Sequence, residues 1–233
     1  MHPCASASTA ALLALAASAL VSCGRSSDQI PSSDPPTVAP SAPAASALVV
    51  EDKNFPMPTP GTCKLGQRDG RAVPDPRCTP GVIDPAVTEA NLRDTICQPD
   101  WREEAYPPVP VDGRMKAASA RAYGLPADYG GEYDHLVSRM LGGSSEDPRN
   151  RWPQPGAKPN PKDRIEIALH EGVCKGMISL TSAQQALAAN WPTAAENAGL
   201  VLIGDPNAPV EQSKACLRDN PSRCTTLHKA YDD

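Results

Sequence analysis

The chain has 233 residues, a net charge of −5, a mean hydropathy of −0.39, 27 prolines and one phenylalanine. An aromatic content of 4% supplies little ring area for a large core. The acidic balance excludes a broad, sequence-independent nucleic-acid surface but leaves room for a small basic cleft.

Residues 7–20, "ASTAALLALAASAL", form an apolar run of signal-peptide length, too short to span a bilayer, so 1–22 is expected to be a signal peptide. Leu20-Val21-Ser22-Cys23 resembles the bacterial lipobox, in which small residues precede a cysteine that is lipidated and becomes the new N-terminus. The absence of Lys and Arg before the run departs from that pattern. The resemblance implies export and a lipid anchor at Cys23, with no transmembrane helix in the mature chain. Gly24 in place of Asp implies outer-membrane sorting where the cell has two membranes. Plain secretion with cleavage nearby is the alternative, and it also places the protein outside the cytoplasm.

Six further cysteines follow Cys23: Cys63, Cys78, Cys97, Cys174, Cys216 and Cys224. In an exported chain they read as a disulfide framework, and the absence of any Cys-x-x-Cys pair argues against structural zinc. Proximity favours Cys63–Cys78 and Cys216–Cys224, which leaves Cys97–Cys174 to close the longest loop.

Residues 23–60, rich in Ser, Pro, Ala and Asp, have no hydrophobic period and read as a tether behind the lipidated Cys. One short strand is expected in 47–55. The stretch 61–80 is turn-rich, and its basic residues Lys64, Arg68, Arg71 and Arg77 suggest either a solvated loop or a phosphate-contacting flap. Thr88 is placed as the N-cap of a short helix over 87–94, with 95–97 extended. A helix is expected over 112–124, closed by Gly124. Residues 132–141 suggest a strand, with Gly142-Gly143 turning the chain. Asn160 and Pro161 punctuate the start of the next helix, whose Ile165, Ala168, Leu169 and Val173 share one face. Thr181 and Gln184 form a capping box for a last helix ending at Trp191-Pro192. Beyond, in a C-terminal extension over 192–233, 199–205 suggests a strand and 216–224 a cross-linked loop.

The central stretch carries the chemistry. A one-metal phosphodiester hydrolase needs a divalent ion on the scissile phosphate, a neutral His to activate water, and oxygen or imidazole ligands that leave open positions. Asp134 and His135 offer a ligand and a base. Adjacent side chains of a strand point to opposite faces, so one shared site needs a bend there. Asn150 returns after the Gly-Gly turn to brace the loop, and Asp163, Glu166 and His170 line one side of the following helix.

The stretch 134–155, "DHLVSRMLGGSSEDPRNRWPQP", resembles the His-Me finger (HNH-like) nucleases, whose signature is Asp-His, two apolar residues, a Pro, a Gly-Gly, an Asn some fifteen residues on and a helix with the last ligand. The span from about Cys78 to Trp191 is similar to a group of exported bacterial proteins with the same blocks, about half of the mature chain. The resemblance implies an α+β fold: a small disulfide-braced domain over 61–191 around a ββα-metal core, with helices following. It implies metal-dependent hydrolysis of DNA or RNA with Mg²⁺ or another divalent ion. Asp134 matches the first metal ligand, His135 the general base and Asn150 the organising Asn. Asp163, His170 and Glu166 are the candidates for the helix-borne ligand. Arg139, Arg149, Arg151 and Lys162 are candidate phosphate contacts. Ser138-Arg139 stands where the signature has Pro.

Each residue also has a structural reading. Asp163 is placed to cap its helix. Glu166 and His170 are an i,i+4 pair on a solvated face. Arg149, Arg151 and Lys162 are surface charges, while Trp152 and Trp191 pack. The alternative function is accordingly a non-catalytic cell-envelope lipoprotein that uses the same scaffold for binding. No Gly-x-Ser-x-Gly, Walker or dinucleotide glycine pattern is present.

Overall fold

The computed structural model describes residues 47–52, 54–99, 101, 113–156 and 159–228. All belong to the unit Pro43–Asp233; the other unit, Met1–Ala42, holds the expected signal peptide, Cys23 and most of the tether, and lies outside the described residues. Helices and small sheets mix in an α+β arrangement braced by three disulfides, Cys63–Cys78, Cys97–Cys174 and Cys216–Cys224. No described helix is long and apolar enough to cross a membrane.

Strand β1 (Val49–Val50) runs parallel to β4 (Val82–Ile83). Residues assigned to the tether thus lie on the folded body: Ser144 Oγ donates to Glu51 at 2.7 Å, and Asp52 N donates to Asp147 at 3.0 Å. Strands β2 (Gly66–Arg68) and β3 (Arg71–Val73) make a hairpin through Asp69-Gly70. Both turn residues have positive φ, +50° and +72°, which the twist of a tight hairpin demands and Asp-Gly supplies. The turn-rich flap is therefore an ordered hairpin. Arg71 sits 5.9 Å over the Trp191 ring, Arg68 donates to the Ala189 carbonyl, and Arg77 pairs with the buried Asp75.

Helix α1 (Gly113–Ala122) matches its expected span, with Gly124 at φ +70° beyond its end. Strands β5 (Glu132–His135) and β6 (Arg151–Gln154) form an antiparallel pair joined by a long loop, and helix α2 (Pro161–Cys174) follows. The strand expected to run to Leu141 stops at His135, and the chain turns through short 3₁₀ segments to Gly142-Gly143.

Helix α2 owes its ends to local chemistry. Asn160 accepts from Lys162 N at 2.8 Å, and Asp163 returns a bond from Asn160 N at 2.8 Å, behind Pro161 at the first turn. At the other end Gly176 (φ +60°) closes a Schellman turn, with Gly176 N donating to Val173 O and Met177 N to Gly172 O. The expected face of Ile165, Ala168, Leu169 and Val173 is buried, and so are Glu166, Ile167 and Gly172, which makes α2 the central helix.

Helix α3 (Leu180–Asn190) is capped by Ser179, which accepts from Ser182 N. The expected capping box at Thr181 does not form, because Gln184 turns inward to donate to the Leu141 carbonyl at 2.8 Å. Thr88 caps no helix either: its N–H donates to Asn91 Oδ1, and residues 88–97 form turns and a short 3₁₀ segment in place of helix and extended chain. After the short α4 (Ala194–Asn197), strands β7 (Leu200–Ile203), β8 (Lys214–Leu217) and β9 (Asn220–Thr226) form an antiparallel sheet in that order. Leu200, Ala215 and Leu227 are fully enclosed in the same core as α2, so the segment after 192 belongs to the body. A Cβ on Gly172 would lie 2.9 Å from Leu200 Cδ1, so β7 seats closely on α2 at this glycine and a larger residue would make the Leu200 side chain shift.

Candidate functional site

The hairpin of β5 and β6 sorts the predicted residues onto two faces. In its register Asp134 lies opposite Trp152, and His135 opposite Arg151. Alternation sends Asp134 and Trp152 toward α2, and Tyr133, His135 and Arg151 to the other side. The contacts follow that division. Trp152, fully buried, donates its indole N–H to Asp134 Oδ2 at 3.0 Å. On the opposite face the Arg151 guanidinium stacks 4.0 Å over the Tyr133 ring, and the half-buried His135 places Nε2 3.3 Å from the Ser145 carbonyl. The ladder has no bulge at this point to bring the Asp134 and His135 side chains to one side.

Lys162 stands where the helix meets the hairpin. Its side chain is fully buried, and its ammonium donates to the His135 carbonyl at 2.6 Å, lies 2.9 Å from Asp134 Oδ2, and pairs with Glu166 one turn along α2. An ammonium has three N–H donors, and here each has an oxygen. Burial alone would drive the Lys162 charge off, but the adjoining Asp134 and Glu166 charges prevail and raise its pKa above the ordinary lysine value. Burial pushes both carboxyls above the ordinary carboxylate range, against the pull of Lys162.

Asn150 organises the loop between the two strands. Its Oδ1 accepts from Val137 N at 3.0 Å and Val82 N at 3.2 Å, and its Nδ2 donates to Val137 O at 2.9 Å and Ser144 O at 2.8 Å. All four amide valences are used in a site without solvent exposure. The glycine pair permits the tight path. A Cβ on Gly143 would fall 1.8 Å from Val137 O, and Gly142 adopts φ +69° with Val87 packed where its side chain would be.

The other expected ligands and phosphate contacts are engaged elsewhere. Asp163 closes the cap of α2, while His170, two turns on, places Nε2 2.8 Å from the Ile96 carbonyl beside the Cys97–Cys174 bridge. Arg149 forks onto Asp147, with Nε at 3.0 Å and Nη2 at 2.6 Å, and its guanidinium covers the Phe55 ring at 3.9 Å. Arg151 and Arg139 lie close enough to His135 for their charges to act on it. Desolvation, with those charges adding, holds the imidazole well below its ordinary pKa, so it is neutral at pH 7. With Nε2–H donated to Ser145, Nδ1 is left as the acceptor.

A divalent ion would need Asp134 and Glu166 as its anionic ligands. Those carboxylates already hold an ammonium, and a second cation beside Lys162 would be repelled at short range in a desolvated site. No group of three His, Cys, Asp or Glu side chains with metal-binding geometry occurs among the described residues. The donors as they stand do not fit a divalent metal.

Three residues outside the expected site matter to it. Asp147 caps the 3₁₀ turn before Asn150 and binds Arg149 and the Asp52 N–H. Ser144 bridges Glu51 and Asp147, and Tyr133 supplies the ring under Arg151. The run Asp147-Pro148 was a readable signal for the turn cap; nothing in the sequence paired Asp147 with residue 52. The chain matches no family model, no curated protein and no solved structure.

Proposed function

We propose that the protein is an exported, lipid-anchored cell-envelope protein whose strand–loop–strand–helix scaffold binds an envelope protein or polymer without metal-dependent hydrolysis. The observation that carries this reading is the Lys162 ammonium, seated between Asp134 and Glu166 in the position a metal would need. Three disulfides agree with an oxidising compartment, and the net charge of −5 does not favour nucleic acid as the partner. The anchor would be Cys23, in the outer membrane of a two-membrane cell.

The test is a plasmid-nicking assay on the full, oxidised, detergent-solubilised protein with Mg²⁺, Mn²⁺ or EDTA, beside His135→Ala. The expected result is no metal-dependent nicking. Nicking that needs the metal and disappears in the variant would overturn the reading and establish the second one, a nuclease of DNA or RNA with His135 as its base. One feature favours that second reading: His135 is neutral, partly open to solvent and flanked by two arginines.

A further inference from the structure

The box around the Lys162 ammonium is a built cation site. Its oxygens come from three places: Asp134 on β5, the His135 main-chain carbonyl at the end of that strand, and Glu166 on α2. Asp134 is itself oriented by the Trp152 indole, so the box is braced from the far strand as well. The geometry is that of a primary ammonium: three acceptors for three donors, with an aliphatic stem arriving from the first turn of α2. Lys162 is only one residue past the first helical position, so its backbone is fixed by the Asn160–Asp163 capping box.

We propose that Lys162 is the resident cation of this scaffold: a positioning residue whose ammonium fills a monovalent ammonium site from within the chain and pins the His135 end of β5 to α2. The bond to the His135 carbonyl fixes the peptide that carries the imidazole. With the ammonium removed the His135 carbonyl loses its donor, and Asp134 and Glu166 are left as two buried carboxyl groups with no cation between them. The proposal rests on the reading above, in that it leaves the box no place for a divalent ion.

Lys162→Ala deletes three methylenes and the ammonium, the same heavy atoms as n-propylammonium. The test uses the full, oxidised protein. The variant is expected to melt roughly 10 °C below wild type, the loss typical of an uncompensated buried ion pair in a chain of this size. Added n-propylammonium should recover most of that shift and return the His135 ring resonances toward their wild-type positions. The isosteric neutral control, 1-propanol, should not, and wild type should respond to neither. Absence of selective amine rescue, or rescue by Mn²⁺ in its place, would overturn the assignment. Should Lys162→Ala fail to fold, the wild-type protein decides: a buried, triply bonded Lys162 should give a slowly exchanging ammonium signal in ¹⁵N NMR at neutral pH, and its absence would overturn the proposal. The nicking assay judges the functional reading separately, because metal-dependent cleavage by wild type would sink that reading whatever the amine does.

Discussion

Asn150 shows how one side chain can hold a loop that has little regular structure. It satisfies two backbone N–H groups and two carbonyls that have no ladder partner at those atoms. Asn150→Ala would strand all four in a site closed to solvent, so a stability loss of about 3–5 kcal/mol is expected in urea unfolding under oxidising conditions. The spacing from His135 marked Asn150 from the sequence, and its bracing task is local enough to be read there. Lys162 is the opposite case. A lysine in the first turn of a helix reads as a surface charge, and only the approach of β5 encloses it with Asp134. Likewise the two arginines flanking Asn150 read as solvated charges or as a phosphate clamp, whereas Arg149 is taken by Asp147 and Phe55, and Arg151 lies over Tyr133.

At the scale of elements, local signals identified what local chemistry controls. The cap of α2 was legible because Asn160, Pro161 and Asp163 lie within four residues and form their bonds among themselves. Gly124 ended α1 for the same reason. Thr88 and Thr181 carried equally good cap signals, but Asn91 and Gln184 put their side chains to other uses, the second on a carbonyl 43 residues away. The Gly142-Gly143 turn separates two kinds of glycine requirement. Gly143→Ala should cost at least about 3 kcal/mol, since its Cβ would overlap a main-chain oxygen and the loop must move. Gly176→Ala, strained only by its left-handed φ with open space around it, should cost about 1–2 kcal/mol. Urea midpoints of the two variants measure the difference.

For the molecule as a whole, the long Cys97–Cys174 bridge matters most. It spans 77 residues and joins the turn region after β4 to the end of α2, where His170 also bonds the Ile96 carbonyl. Cys97→Ser with Cys174→Ser should lose roughly 4–5 kcal/mol in the chain-entropy model, against roughly 2–3 kcal/mol for the eight-residue Cys216–Cys224 pair. Thermal melts of the two double variants provide the ranking, and equal losses would show that native-state contacts, not loop closure, set the effect. The segment after 192 belongs to this scale too: read alone it was an extension with a local bridge, yet Leu200, Ala215 and Leu227 complete the core around α2.

The sequence by itself marked the N-terminal cap of α2, the buried stripe of that helix and the Gly-Gly turn before Asn150, and it favoured the disulfide pairing that the structure shows. Each depends on neighbours in the chain, on period, or on proximity between cysteines. Tertiary structure alone decided which way the charges face. A strand alternates its side chains strictly, so adjacent Asp134 and His135 serve different sides once β6 sets the register. An ionisable group's meaning depends on what burial brings within about 3 Å of it, and for Asp134 that neighbour is a lysine 28 residues away in sequence.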